Sequence, residues 1–164
     1  MSTEATSLRC GIGYDTHRLV EGRKLVLGGV EFASPRGPQA HSDGDVLCHA
    51  IADSLLGAAG LGDLGQRFPD SDPHWKNASS LIFLETIRQL LADNGFRIVH
   101  IDSVIVLDEP KLAPHIWSMI KSVAGALQLE PQRVSVKAKT TEGISPDVAA
   151  AHAVVLLSGT PVRT

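Results

Sequence analysis

Three residues of the sequence have the types and the spacing of a catalytic metal site. Asp15 and His17 are two positions apart, so their side chains point to the same side of an extended segment. His49 adds a second imidazole from a segment with helical periodicity. One carboxylate and two imidazoles leave the fourth position of a tetrahedral zinc ion open, which is typical of catalytic zinc. The D-x-H spacing is short and common, and a surface aspartate with two hydrogen-bonded histidines would fit it equally.

The segment that carries His49 is the clearest helix in the sequence, and we predict it over residues 43–59. Asp45, His49 and Asp53 recur at every fourth position and therefore share one face of this helix. Asp45 is placed to orient the His49 ring. A polar stripe that faces solvent would show the same spacing.

His41 and Ser42 come directly before this helix. The backbone N–H groups and the positive end of a helix dipole favour a phosphate oxygen at such a position. A simple capping turn, with Ser42 or Asp43 as the cap, is the alternative.

The loop that follows, residues 61–76, is rich in Gly, Asp and Pro and is long for an idle connection. Its glycines permit close approach of the backbone to a ligand, and Asp63 could accept hydrogen bonds from a polyol. An acidic surface loop would have the same composition.

A third group of polar residues, Lys137 to Gly143, ends a predicted strand near the C-terminus. Lysine, threonine hydroxyls and a glycine turn can bind phosphates, and Glu142 could ligate Mg²⁺ beside a diphosphate. A solvated strand end is the default alternative. The sequence contains no P-loop and no G-x-G-x-x-G motif, so a nucleotide would have to be bound in another way.

The elements that must position these residues alternate between strands and helices. Apolar patterns predict strands at 8–14, 97–107, 133–140 and 149–157, a hairpin at 24–32 around Gly28-Gly29, and helices at 43–59, 79–94 and 114–127. This order predicts an α+β fold, with one sheet and the helices packed on one face.

Composition excludes several classes of protein. The 164 residues suit one domain, predicted at 8–164 after a loose tail at 1–7. The net charge of -3 argues against a nucleic-acid partner. Cys10 and Cys48 do not form a disulfide framework. There is no apolar run long enough for a membrane span and no signal peptide, so we expect a cytoplasmic protein without a membrane partner.

The sequence resembles the family of 2-C-methyl-D-erythritol 2,4-cyclodiphosphate synthases from Leu8 onward. The resemblance rests on ordered blocks of residues: G-x-G-Y-D-T-H at Gly11 to His17, A-H-S-D-G-D-V at Ala40 to Val46, H-A-I-A-D at His49 to Asp53, L-G-D-L-G at Leu61 to Gly65, F-P-D-S-D at Phe68 to Asp72, P-K-L-x-P-H at Pro110 to His115, and V-K-A-K-T-T-E at Val136 to Glu142. Chance agreement in so many ordered blocks is negligible.

The resemblance implies a lyase of the non-mevalonate route to isoprenoid precursors. Family members cyclise 4-diphosphocytidyl-2-C-methyl-D-erythritol 2-phosphate and release CMP. It further implies a four-stranded mixed sheet with a small β-hairpin, and a homotrimer like the trimeric chorismate mutases, with sites between subunits. Because phosphoryl transfer mainly needs alignment and charge neutralisation, we predict neither a side-chain nucleophile nor a general base.

Individual roles also follow from the resemblance. Asp15, His17 and His49 match the zinc ligands, and Glu142 matches a ligand of a second ion, Mg²⁺ or Mn²⁺. The remaining matched positions contact substrate: His41 and Ser42 at its phosphate, Asp63 and Gly65 at the methylerythritol, Phe68 and Asp72 in the same loop, Pro110 and Lys111 at the cytosine, and Thr140 and Thr141 at the phosphates. Asp15 and His17 reach the substrate through the metal, and we expect His41, Thr140 and Glu142 to take part in catalysis.

One segment departs from the family pattern. Residues 143–147 pass directly into the last strand, where relatives carry a longer Gly-rich stretch with an arginine. This difference puts in doubt an arginine contribution to phosphate binding and the polar lining of the trimer's central cavity.

Two other functions fit the same metal ligands. A zinc hydrolase would activate water and give hydrolysis products, which phosphorus NMR would separate from a cyclic diphosphate. A non-catalytic binding module on the same fold would keep its function without Asp15, His17 or His49.

Overall fold

A mixed sheet of five strands, with the helices on one face, forms the fold in the computed structural model, which describes residues 7–159. The strands and longer helices are β1 (Ser7–Glu21), β2 (Leu25–Leu27), β3 (Val30–Phe32), β4 (Arg36–Pro38), α1 (Val46–Ala59), α2 (Leu64–Arg67), α3 (Ser80–Asp93), β5 (Phe96–Val106), α4 (Ile116–Leu127), β6 (Val134–Lys139) and β7 (Val148–Gly159). The α+β class is therefore confirmed.

The sheet has the strand order β4-β1-β7-β5-β6. Only the β5–β6 pair is parallel among the described pairs of this sheet, so the sheet is mixed. The sequence predicts four of its strands and misses β4. This strand is three residues long, contains Gly37 and Pro38, and lies at the sheet edge, where proline is tolerated because one side of the strand needs no partner.

The first strand is longer than predicted and carries two of the candidate ligands. It continues past Tyr14 to Glu21, paired with β7 from Ser7 to Arg18. Alternation places Asp15 and His17 on the face covered by helices, whereas Ile12 and Tyr14 lie on the open face.

Helix α1 lies unusually close to β1 because two glycines face it. A Cβ atom at Gly11 would lie 2.1 Å from the Ser54 carbonyl oxygen, and one at Gly13 would lie 1.9 Å from the Ala50 carbonyl oxygen. Both distances are far below a van der Waals contact, so no other residue fits at either position without moving the helix.

The other predicted elements are confirmed, with ends shifted by a few residues. The hairpin forms as β2 and β3, and the predicted loop at 61–76 contains α2 and a short 3₁₀ helix at Pro73–Trp75. Of the expected tail at 1–7, residues 1–6 lie outside the described residues, and Ser7 belongs to β1. Among the described residues, no helix is long and apolar enough to cross a membrane.

Candidate active site

The three predicted metal ligands converge between β1 and α1. The Asp15 Oδ2 atom lies 2.9 Å from Nδ1 of His49 and 3.1 Å from Nε2 of His17. One possible ligand atom from each residue lies within 4.8 Å of the others. This spacing is that of donors around one ion.

The chemistry of these donors fits a metal ion. The Nε2 atom of His17 is buried, and the contact it makes is with the Asp15 carboxylate at 3.1 Å. A cation bound between them would satisfy the imidazole nitrogen and the carboxylate together. One carboxylate and two imidazoles are ligands that zinc accepts, with a fourth position free for substrate.

The electrostatics of the cluster keep its carboxylate ionised. Burial would raise the pKa of Asp15, but hydrogen bonds and charge from His17 and His49 outweigh burial and lower that pKa. Burial alone would lower the pKa of His49, but the hydrogen bond and the charge of Asp15 raise it above its ordinary value. An anionic Asp15 is the form that ligates a cation.

The far side of the His49 ring is held by a serine and an aspartate. Its Nε2 atom lies 2.9 Å from Oγ of Ser80 and 3.3 Å from Oγ of Ser42. The Ser80 hydroxyl donates in turn to the carboxylate of Asp43, which also accepts from the Ser80 backbone N–H. If Nδ1 offered its lone pair to a metal, Nε2–H would donate to Ser80, and this order would fix the tautomer.

The prediction that Asp45 orients the His49 ring is wrong. Asp45 is the N-cap of α1, and its buried carboxylate accepts from the backbone N–H groups of Leu47 and Cys48 and from those of Gly28 and Gly29 in the hairpin. An N-cap side chain turns back over the first helical N–H groups, so the spacing rule for helix faces does not apply to it. Asp45 joins α1 to the hairpin.

Ser42 lies beside His49 of this cluster, and His41 precedes Ser42 in the chain. Ser42 is buried against His49, and Nε2 of His41 lies 3.3 Å from the backbone oxygen of Asp72. The backbone of Asn77 donates to the His41 carbonyl. The end of the long loop is thus attached to the segment before the helix.

The turn at Asp63 begins the short helix α2. One carboxylate oxygen of Asp63 accepts from the backbone N–H of Gln66, and the other accepts from the Gln66 side chain. Asp53 of α1 accepts from the backbone N–H of Leu64 at 2.7 Å. Asp63 and Gly65 are exposed, next to the helix that carries His49.

Phe68 and Asp72 hold this loop in place. The Phe68 ring is buried and packs on Phe83 and Trp75, and the Phe83 ring lies 6.2 Å from that of His49. The Asp72 carboxylate caps the 3₁₀ helix by accepting from the His74 N–H. Any contact of Phe68 with substrate would therefore come from its backbone.

A second cluster of predicted residues surrounds a cavity of about 350 Å³ at the ends of β5 and β6. Lys111, Thr140 and Glu142 line it, together with Leu107, Asp108, Leu112, Ala113, Ala138 and Lys139. The Thr140 hydroxyl donates to the carboxylate of Glu142 at 2.6 Å. Pro110, also predicted here, adjoins the lining residues in the chain but does not line the cavity.

Thr141 has a structural partner that the sequence did not indicate. Asp108 accepts from both the backbone N–H and the hydroxyl of Thr141. The hydrogen bond from the Thr141 side chain is the main reason that the pKa of Asp108 lies below its usual value. The loop after β6 is thereby attached to the loop after β5.

The metal cluster and this cavity lie on different parts of the sheet. Asp15 pairs with Ala151, Ala151 with Ile105, and Ile105 with Ala138, which lines the cavity. Three strand spacings, about 14 Å, therefore separate Asp15 in the metal cluster from Ala138 in the cavity lining.

The segment that departs from the family pattern, residues 143–147, folds back onto β1 and β4. The backbone N–H of Leu19 donates to the Asp147 carbonyl at 2.8 Å, and Arg36 pairs with the Asp147 carboxylate. Arg36 thus places a guanidinium beside this segment, from a different strand.

Comparison with known proteins gives consistent matches over almost the whole chain. The model of the YgbB family matches residues 8–158. A 2-C-methyl-D-erythritol 2,4-cyclodiphosphate synthase of Syntrophomonas wolfei is 52% identical over 154 residues, covering 92% of this chain and 98% of the relative. The synthase of Gloeobacter violaceus is 51% identical over 161 residues, covering 96% and 99%. A solved structure of such a synthase in a CDP-bound form is 44% identical, with a TM-score of 0.86 over 91% of this chain and 99% of the other.

Proposed function

The chain belongs to the YgbB family, and from that membership we propose that its metal cluster and its cavity at the ends of β5 and β6 are two halves of one type of active site. The protein is a lyase that cyclises 4-diphosphocytidyl-2-C-methyl-D-erythritol 2-phosphate, as its relatives' names state for them. The 2-phosphate oxygen bonds to the β-phosphorus, and the bond from that phosphorus to the oxygen of CMP breaks. No water is consumed.

Asp15, His17 and His49 are the proposed zinc ligands. The observation that supports this most is the convergence of one donor atom from each residue within 4.8 Å, with the buried Nε2 atom of His17 3.1 Å from the Asp15 carboxylate. A zinc ion held there would supply Lewis-acid polarisation of a phosphate oxygen. Ser80 and Asp43 keep the His49 ring in the tautomer that can ligate.

Glu142 is the proposed ligand of a second divalent cation, Mg²⁺ or Mn²⁺. Magnesium is commonly bound by one or two carboxylates together with substrate phosphates and water, so a single exposed glutamate is sufficient. The Thr140 hydroxyl donates to that carboxylate and the Thr141 hydroxyl to Asp108; a bound phosphate would accept from these hydroxyls in place of the two carboxylates.

The remaining contacts follow the same division. Leu107, Leu112 and Ala113 give the cavity an apolar lining for the cytosine, beside Pro110 and Lys111. On the metal side, His41 and Ser42 would contact the 2-phosphate, while Asp63 and Gly65 would bind the methylerythritol hydroxyls.

We propose a homotrimer with shared sites, because one chain alone cannot bring the two halves together. Cations that act on one phosphoryl group lie about 4 Å apart, whereas about 14 Å separates the metal cluster from the cavity within the chain. The open face of the sheet supports association, since Leu8, Ile12, Tyr14 and Val154 are exposed there. A neighbouring subunit would supply the second half.

These residues align charges and do not react covalently. The substrate phosphate is largely ionised near neutral pH and needs no base to become nucleophilic. The barrier falls because donors on both sides hold two mutually repelling anionic groups in line.

Incubation with the substrate tests the proposal. Phosphorus NMR should show a cyclic diphosphate and CMP in equal amounts. A linear hydrolysis product would instead indicate a zinc hydrolase. Binding without turnover would indicate a binding module.

A further inference from the structure

Three arginines from three different elements converge on one cavity away from the active site. Arg88 on α3, Arg97 on β5 and Arg133, just before β6, all line a cavity of about 240 Å³. A neighbouring cavity shares Arg97, Ile98 and Arg133 and extends the groove to Val99 and Ser158. Residues far apart in the sequence therefore place like charges around one opening.

None of these arginines has an acidic partner among residues 7–159, where the ion pairs involve other cations. The Nε atom of Arg88 is buried and has no hydrogen-bond partner within that range. Among the described residues, the Arg133 side chain donates only to the Ile98 carbonyl, at 3.3 Å. Asp93, one turn beyond Arg88 on α3, accepts instead from Gln89. Like charges brought together without counter-ions repel, so an anion between them would be stabilising.

The charge of nearby helix ends does not account for this arrangement. The C-termini of α3 and α4 lie close by and would favour cations. In their last turns, however, the carbonyls of Leu90, Leu91, Ala92, Ala124 and Gly125 already accept from backbone N–H groups of the residues that follow each helix. A helix dipole also leaves the buried Nε atom of Arg88 unsatisfied.

The other lining residues indicate what the anion carries. Leu91, Phe96, Leu127 and Leu129 belong to the apolar part of the lining, and all but Leu129 are buried. Guanidinium groups bind phosphate oxygens in a bidentate manner, and apolar side chains bind hydrocarbon. We propose that this cavity binds a small phosphate monoester with an apolar organic group. The phosphate would lie between the arginines, and the organic group would contact the apolar part of the lining.

This site is separate from the catalytic one. On β5, Ile105 pairs with Ala151 of β7, which in turn pairs with Asp15 of the metal cluster. Ile98, near the start of the same strand, lines the arginine cavity. Seven residues of extended strand separate Ile98 from Ile105, about 23 Å. A ligand bound here could not touch the reacting phosphates, and the inference does not depend on the proposed zinc chemistry.

Calorimetric titration of the zinc-loaded protein with n-butyl phosphate tests the proposal, with CDP present at saturation to occupy the catalytic cavity. Inorganic phosphate and n-butanol serve as separate probes for the two parts of the ligand. We expect n-butyl phosphate to bind more tightly than inorganic phosphate, and n-butanol not to bind measurably.

Arg88→Gln and Arg133→Gln should each weaken n-butyl phosphate binding about tenfold or more, the scale of one lost charge-assisted hydrogen bond. Lys121→Gln removes one positive charge from an exposed position of α4 outside the cavity, and it should bind as the native chain does. Arg97→Gln, at an exposed position, provides the same test if Arg88→Gln does not fold.

Three results would overturn the proposal. Native affinity in the folded arginine variants would show that the phosphate binds elsewhere, and equal weakening in Lys121→Gln would show a non-specific charge effect. Equal affinity for inorganic phosphate would remove the apolar group from the ligand and leave a simple anion site.

Discussion

Replacing Ser80 by alanine should weaken zinc binding, although Ser80 is not a ligand. Its hydroxyl lies 2.9 Å from Nε2 of His49 and donates to Asp43, so it is the acceptor for Nε2–H when Nδ1 ligates a metal. Without it, the imidazole keeps its place between Asp15 and the core but loses the contact that fixes its tautomer and orientation.

The size of the effect follows from the burial of this pair. Ser80 is fully buried and His49 is 8% exposed, so water does not readily replace the lost hydroxyl. A buried donor left without a partner costs about 1–3 kcal/mol. Ser42 at 3.3 Å offers a weaker substitute, which places the loss in the lower half of that range. A loss of about 1–2 kcal/mol lowers zinc affinity roughly fivefold to thirtyfold.

Competition with a chromogenic chelator measures this affinity, and the absorption spectrum of the Co²⁺-substituted protein reports the ligand geometry. Ser54→Ala is the matched control. Ser54 lies on α1 and, like Ser80, is fully buried, but its hydroxyl donates to the Ile51 carbonyl instead of contacting His49. It should change stability without changing zinc affinity. Unchanged zinc affinity in Ser80→Ala, or an equal loss in Ser54→Ala, would refute the role of Ser80.

Further predictions concern the ligands and the shared site. His49→Ala should abolish tight binding of about one zinc per chain, and metal analysis that still finds zinc would exclude it as a ligand. Glu142→Gln should weaken Mg²⁺-dependent turnover and leave zinc in place; an unchanged Mg²⁺ dependence would count against its role. Mixing these two variants after joint refolding should raise the activity above that of the two variants refolded separately, because some sites then combine an intact half from each subunit; no increase would place both halves in one chain. Asp63→Ala should raise KM for the substrate with kcat nearly unchanged, and unaltered kinetics would remove it from the site. In the zinc-free protein, pairing with Asp15 raises the pKa of His49 above its ordinary value of 6.5. The pairing therefore stabilises the fold fully at pH values below 6.5, and this stabilisation is lost as the pH rises through the raised pKa. Thermal unfolding of that form should therefore occur at lower temperature as pH increases towards 8, and an increase in melting temperature would contradict the assignment.

Most of the fold follows from local patterns of apolar residues. Helices α1, α3 and α4 and the hairpin have strong periodicity or turn residues, and their ends were predicted to within a few residues. Strand β4 could not be found in this way, because three residues with glycine and proline have no alternating pattern, and only pairing with Leu19 to Glu21 makes them a strand. Tertiary contacts of this kind are not encoded locally.

The site shows the same division between spacing and tertiary structure. The convergence of Asp15, His17 and His49 was predictable, because two follow strand alternation and the third lies on a helix. Ser80 gave no signal, since it is a single serine 31 positions from His49. Asp45 gave a misleading one, because its spacing matches a helix face while its backbone lies outside the helix.

The close approach of α1 to β1 has a consequence for how variants of this protein should be interpreted. One added carbon at Gly13 would push the Ala50 carbonyl, and with it the neighbouring His49, away from the strand that carries the other two ligands. Such a change touches neither ion nor substrate, yet in a mutational screen it would be grouped with losses of the ligands themselves. The distance between His49 on α1 and the two proposed ligands on β1 thus depends on the absence of a methyl group at Gly13. A homologue with alanine at this position must place the helix farther from the strand or bind a different cation.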